Sequence, residues 1–203
     1  DWDWNQTVGA AGIQLANMNF DPDVVTGTGG IKLTLTGDCE FDAVTVSSGD
    51  TLDLNGQRMV ASGAFINNGT FDMDGILVCG NSVSLGGTTD NNTSGTIIMN
   101  NSGTEQLAIA DETYAQIAMF GGKVVCGAAR DAGTTPTICA GTVKFEPEYN
   151  YTCGDFTLAT GSEFGALDDT LTVAGDFTTS GGLIGKSALD FNAGSSPYVD
   201  FDN

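Results

Sequence analysis

Glycines divide the middle of this chain into short, regular pieces. They fall at positions 49, 56, 63, 69, 75 and 80, about every six residues. Between them apolar and polar residues alternate, as in Thr51 to Leu54, and a period of two is typical of a strand with one buried face. A glycine or an Asn-Gly pair can adopt the positive φ that a sharp corner needs. The pattern therefore predicts short β-strands joined by Gly/Asn corners.

Two all-β architectures fit such pieces. Three pieces would make a coil of about 18–21 residues, and coils stacked about 4.8 Å apart would form a parallel β-helix, or β-solenoid. The alternative is an antiparallel β-sandwich or jelly roll, in which turn signals come about every 8–12 residues. The shorter spacing favours the solenoid.

A similar pattern returns 112 positions further along, where the glycines and apolar positions of residues 156–183 coincide with those of residues 44–71. Such a match is what repeated backbone geometry without repeated chemistry would give. Residues 1–30 lack this rhythm and carry both tryptophans, Trp2 and Trp4. We therefore expect residues 1–30 to be an N-terminal cap or joining segment, and residues 31–203 to be a solenoid domain with an internal repeat.

The charge balance excludes several functions. Six Lys and Arg residues stand against 26 Asp and Glu, which gives a net charge of -20. Proteins bind nucleic acids and anionic membrane surfaces through clusters of Lys and Arg, so we expect neither as a partner. The chain has no histidine, which removes Ser-His-Asp and Cys-His catalysis and the commonest zinc ligand.

The cysteines are odd in number, so at least one cannot pair within the chain. Cys126 and Cys139 are the best candidates for a disulfide, which would close the loop between them. The favoured interpretation is that all of them are small buried hydrophobic residues. They are Cys39, Cys79, Cys126, Cys139 and Cys153.

Carboxylates occur in close pairs, as the catalytic acids of glycosidases do. Those acids lie about 5–10 Å apart, and residues i and i+2 of any strand face meet that distance. The pairs therefore do not indicate catalysis, and we predict a non-enzymatic protein with no catalytic and no cofactor-binding residues. The pairs are Asp50 and Asp53, Asp72 and Asp74, Asp168 and Asp169, and Asp200 and Asp202.

Calcium is the metal that these residues would suit best, because carboxylate, amide and carbonyl oxygens are its ligands. Three segments could each supply part of a shell: Asp21 to Asp23, Asp90 to Asn92, and Asp200 to Asp202. None has the spacing of an EF-hand or of a glycine-rich nonapeptide repeat. The sequence therefore assigns no metal ligands.

The segment from Thr45 to Gly56, followed by Ala61 to Phe71, resembles the parallel β-helix segments of bacteriophage tail fibres, tailspikes and related virion surface proteins. It also resembles those of haemagglutinin-like bacterial adhesins. A similar segment recurs from Leu171 to Leu183, so the resemblance covers roughly residues 31–200. It implies an exposed, elongated and often trimeric part of a surface, and it carries over no functional residue.

The expected function is that of a virion structural protein, as a tail-fibre, spike or capsid-surface module that attaches to a host surface. The expected location is the virion surface or the extracellular space. Expected partners are copies of the chain, with a trimer favoured, other virion proteins and a cell-surface glycan. The alternatives are a bacterial surface adhesin or extracellular filament subunit, a polysaccharide-cleaving tailspike, and a jelly-roll lectin or capsid decoration domain.

Overall fold

The computed structural model describes Gly30, residues 32–165 and residues 170–184, together with the backbones of four outlying strands. The regular elements are β-strands of two to five residues and one 3-10 turn, Asn92–Ser94. Within these ranges no helix is long or apolar enough to cross a membrane.

In the first half of the chain, the structure describes fourteen strands. They are β1 (Ile13–Leu15), β2 (Val24–Val25), β3 (Lys32–Leu35), β4 (Cys39–Phe41), β5 (Val44–Val46), β6 (Thr51–Asp53), β7 (Arg58–Ala61), β8 (Phe65–Asn67), β9 (Thr70–Asp72), β10 (Ile76–Cys79), β11 (Val83–Leu85), β12 (Thr88–Asp90), β13 (Thr96–Met99) and β14 (Thr104–Ala108).

The second half continues with β15 (Gln116–Met119), β16 (Lys123–Val125), β17 (Arg130–Asp131), β18 (Thr137–Cys139), β19 (Lys144–Phe145), β20 (Tyr151–Cys153), β21 (Phe156–Ala159), β22 (Glu163–Phe164), β23 (Thr170–Val173), β24 (Phe177–Ser180), β25 (Leu183–Ile184), β26 (Ala188–Asp190) and β27 (Val199–Phe201).

Successive strands lie on three different faces, and each strand pairs with strands of the neighbouring coils. The first face holds two sheets, β1-β3-β6-β9-β12 and β17-β20-β23-β26. Residues 109–115, which connect β14 to β15, belong to the coil that lies between these two sheets. The second face is one nine-stranded sheet, β4-β7-β10-β13-β15-β18-β21-β24-β27. The third face is another, β2-β5-β8-β11-β14-β16-β19-β22-β25.

The pairings confirm the parallel β-solenoid. Every pair of strands described is parallel, and residues in register in neighbouring coils are 18 to 24 positions apart, as Met59 with Leu77 and Val83 with Leu107 show. The alternative of an antiparallel sandwich or jelly roll is wrong. Strands β6 and β7, which a hairpin would join, pair instead with separate neighbours on two faces, because the corner at Asn55 and Gly56 turns the chain onto the next face.

Inward-facing side chains form apolar ladders through the coils. In β7, for example, Met59 and Ala61 are fully buried while Arg58 and Val60 are not. Each large apolar side chain buried in this way contributes about 1.5–3 kcal/mol. An aromatic cluster fills the later coils, where the rings of Phe145 and Tyr151 meet edge to face with centroids 5.0 Å apart. Stacked ladders of this kind hold one coil to the next.

All five cysteines are buried and free, which confirms their interpretation as small hydrophobic residues. The candidate disulfide between Cys126 and Cys139 is wrong. Cys126 follows β16 on the third face, whereas Cys139 ends β18 on the second face. The segment between them is shorter than a coil, so the two side chains enter the core from different faces.

Two sequence features take a more definite form. Strands β1 and β2 belong to the segment 1–30, and each adds a strand to a sheet of the solenoid; the rest of that segment, apart from Gly30, lies outside the described residues.

The repeated segments lie on different faces, since Val44–Val46 is on the third and Phe156–Ala159 on the second. What repeats at this shift is therefore a strand followed by a corner, and not a whole number of coils.

Candidate cation site on the first face

Three carboxylates meet on the outer side of the first face. Asp53 ends β6, Asp72 pairs with it in register at the end of β9, and Asp74 stands at the corner that follows. One oxygen from each lies within 4.8 Å of the others. Asp53 is 9% exposed, and the other two are partly exposed. The parallel register brings them together, because it places equivalent positions of successive coils side by side.

Lys32 compensates part of this negative charge. Its Nζ lies 2.8 Å from Asp53 Oδ2. This hydrogen bond raises the pKa of Lys32, and the charges of Asp53, Asp72 and Asp74 raise it further, against the opposing effect of burial. The ammonium group therefore stays protonated beside the three acids. Because its side chain is 54% exposed, water screens the pair and limits its contribution to stability to about 1 kcal/mol or less.

Backbone and amide donors hold the three carboxylates in place. The backbone N–H of Asn55 donates to Asp53 Oδ1 at 2.9 Å, and that of Gly56 donates to Asp74 Oδ1 at 2.8 Å. The side-chain amide of Asn91 donates to Asp72 Oδ1 at 2.6 Å. These bonds orient the acids and occupy some of their lone pairs.

The arrangement suits a hard cation better than catalysis. Calcium takes six to eight oxygens, of which three carboxylates could supply a part. Hydrolysis of a glycoside instead needs two acids on opposite sides of a bound sugar. These three stand side by side on the outside of a sheet, so they do not enclose a sugar between them.

The carboxylate pairs identified in the sequence lie in different environments in the structure. Asp72 and Asp74 do come together, and they are joined by Asp53. Asp50, by contrast, is fully buried at the corner before β6, where its Oδ1 accepts a hydrogen bond from the Gly30 backbone N–H at 3.0 Å. Asp168, Asp169 and Asp202 lie outside the described residues, and Asp200 is described only as backbone in β27.

The segments considered for calcium are not brought to one point. In Asp90 to Asn92, the amide of Asn91 reaches Asp72 one coil back, whereas that of Asn92 donates to the carboxylate of Glu112 one coil forward. Asp90 is exposed at the end of β12. Asp21 and Asp23 lie outside the described residues.

The sequence contains a signal for two of these three carboxylates, Asp53 and Asp72, which glycine spacing and alternation do not reveal. A Thr-x-Asp triplet occurs at Thr51 to Asp53, at Thr70 to Asp72 and at Thr88 to Asp90, and the three triplets pair in register. Their spacings of 19 and 18 residues match one coil. A search for triplets at the coil period would have predicted the ladder of acids.

Comparison with protein-family models, with curated proteins and with solved structures finds no match to this chain. The fold and the chemistry of its surfaces are therefore the basis for a functional proposal.

Proposed function

We propose that this chain is a non-enzymatic structural module of a virion surface, in a tail fibre, a spike or a capsid-surface protein, and that it takes part in attachment to a host. The observation that carries the proposal is the in-register stack of short parallel strands on three faces. Such a stack makes a rigid rod, because each coil is held by the coils on either side of it.

Variation in the corners fits a role in attachment. The register between β11 and β14 spans 24 residues, whereas that between β8 and β11 spans 18, and both pairs belong to one sheet. Two of the extra residues lengthen the corner between β12 and β13, and the other four lie between β13 and Leu107, in a segment that includes the start of β14. They leave the stacking of the core intact. A rod of this design can present different recognition loops on an unchanged scaffold.

The charge supports an exposed location. With a net charge of -20, the rod stays soluble and is repelled by other anionic surfaces, so that contact with a host depends on specific recognition. A bacterial surface adhesin or extracellular filament subunit would share both properties. A polysaccharide-cleaving tailspike would need a pair of acids around a bound sugar, which the carboxylate group on the first face does not provide.

Mass spectrometry of purified particles tests the proposal. Virions and cell envelopes from cultures that carry the gene should be compared for peptides of this chain. We expect them in virions at the stoichiometry of a surface protein. Detection in envelopes and never in virions would overturn the proposal in favour of the adhesin. Release of oligosaccharides from host capsular polysaccharide would contradict the non-enzymatic assignment.

A further inference from the structure

The second face of the solenoid carries an apolar column on its outer side. Successive strands β7, β10, β13, β15 and β18 pair in register, so one outward position recurs through five coils. Every residue at that position is apolar: Val60, Val78, Ile98 and Ile138 are partly exposed, and Ala118 is buried. Outward positions of a strand are normally polar when they face water.

The columns on either side are also nearly free of charge. One contains Arg58, Ile76, Thr96, Gln116 and Pro136, and the other contains Ser62, Gly80, Asn100, Phe120 and Ala140. Two large side chains among them are well exposed, Ile76 at 38% and Phe120 at 40%. We call these fifteen positions the apolar second face. They include one cation and no carboxylate, in a chain with 26 acidic residues.

The other two faces differ in this respect. The first face carries Asp53, Asp72 and Asp90 at one outward position of successive strands. The third face carries an ion-pair network in which Lys123 and Lys144 both contact Glu146, at 2.5 and 2.7 Å. The absence of carboxylates is thus a property of these five coils of the second face and not of the fold.

We propose that the apolar second face binds a second copy of this chain. Two copies, each with a net charge of -20, repel one another wherever their acids approach. Contact through the apolar second face keeps the acidic first faces apart. The same contact removes apolar side chains from water on both copies, which is the main favourable contribution to protein association.

The size of the face suits a weak contact. Its five strands, at about 4.8 Å each, make it about 24 Å long, and a strand with its flanking residues is about 16 Å wide. Two such faces would bury on the order of 800 Å² in total, the size of a transient, concentration-dependent interface. Glu40 and Thr157, in register with the two ends of the central column, would form a polar rim.

Other occupants fit the face less well. An anionic membrane surface would need basic residues around the apolar column, and the face has only Arg58. A nucleic acid would need still more of them. A second copy needs neither, because it brings an identical surface that is nearly free of charge.

Sedimentation equilibrium of the whole chain tests the proposal. We expect the native protein to self-associate, and Ile98→Glu to weaken this association by about thirtyfold or more, since it buries an unpaired charge at the contact. Ile66→Glu is the matched control, because Ile66 is 37% exposed and points outward from β8 on the third face. The control should associate as the native protein does. Added salt should strengthen association of the native protein by screening the acids.

A second variant keeps the test independent of any change in folding. Because all native cysteines are buried, Val78→Cys introduces an accessible thiol on the apolar second face, and Ser84→Cys does so on the third face. A short bis-maleimide should join two copies of the first variant and not of the second. A monomeric native protein, equal cross-linking of both variants, or dissociation by Ile66→Glu but not by Ile98→Glu would overturn the proposal.

Discussion

Phe156 stacks on Phe177 across one coil boundary: the two residues pair in register, with ring centroids 5.6 Å apart and an angle of 10° between the rings. Both are buried. Phe156→Ala should therefore lower the free energy of unfolding by about 3–5 kcal/mol, through lost burial and the cavity left behind. Denaturant unfolding measures this loss. Tyr149→Ala, at a position 46% exposed, should change stability by no more than about 0.5 kcal/mol, and an equal loss in both variants would contradict a role for the stack.

Gly69 is required by contact between coils. A Cβ at this position would lie 2.3 Å from the Ser47 carbonyl oxygen and 2.5 Å from that of Asp50, both of which are backbone atoms of the preceding coil. Gly69→Ala should therefore force the two coils apart and lower the melting temperature strongly.

Gly49 is the matched control, because its φ is +87° and a Cβ added there would meet no atom within 4 Å beyond its own chain neighbours. Gly49→Ala should cost only the left-handed backbone conformation, about 1–2 kcal/mol. If Gly49→Ala proves the more damaging of the two, close packing of the coils is not what requires glycine at position 69.

The buried thiols should make stability fall at alkaline pH. Burial raises the pKa of Cys79 to about 11 and the pKa of Cys126 and Cys153 to about 12. The unfolded chain ionises these thiols near their ordinary pKa, whereas the folded chain keeps them neutral. Their contribution to stability is thus complete below about pH 8.5 and is lost above it, by about 1.4 kcal/mol per thiol and pH unit until the folded pKa is reached.

Unfolding experiments between about pH 8 and pH 10 measure this slope. Cys153→Ala should reduce the slope by the share of one thiol, and an unchanged slope would contradict the assignment. In the same range, iodoacetamide should modify none of the five cysteines in the native protein and all of them in denaturant, because the thiolate is the reactive form.

Lys32→Met should destabilise the protein, because it leaves the repulsion among the acids of the first face uncompensated. It removes the cation that lies beside Asp53, Asp72 and Asp74. We expect a loss of about 1 kcal/mol or less at neutral pH and low salt. The loss should shrink at high salt, which screens the charges, and at a pH low enough to protonate the carboxylates. A loss that stays the same under all of these conditions would indicate lost packing of the lysine stem instead.

The group formed by Asp53, Asp72 and Asp74 could be predicted only in part from the sequence. Alternation placed Asp72 on the outside of a strand, and the structure agrees. Its approach to Asp53 depends on the length of one particular coil, however, and coil lengths vary along this chain. Cys126 and Cys139, the candidate disulfide of the sequence, are separated for another reason, since they lie on different faces of the solenoid.

The chain's glycine spacing and its alternation of apolar and polar residues determined short strands joined by corners, because strand length and corner position are local properties of the backbone. The same spacing favoured a three-sided parallel solenoid over a sandwich. Apart from the Thr-x-Asp triplets of the first face, whose spacing already matches one coil, only the tertiary structure decided which outward side chains form a column. Register between coils is set by corner lengths and by the fit of buried side chains such as Met59 over Leu77, and these are contacts between residues distant in sequence. The acidic column of the first face and the apolar column from Val60 to Ile138 both arise from that register.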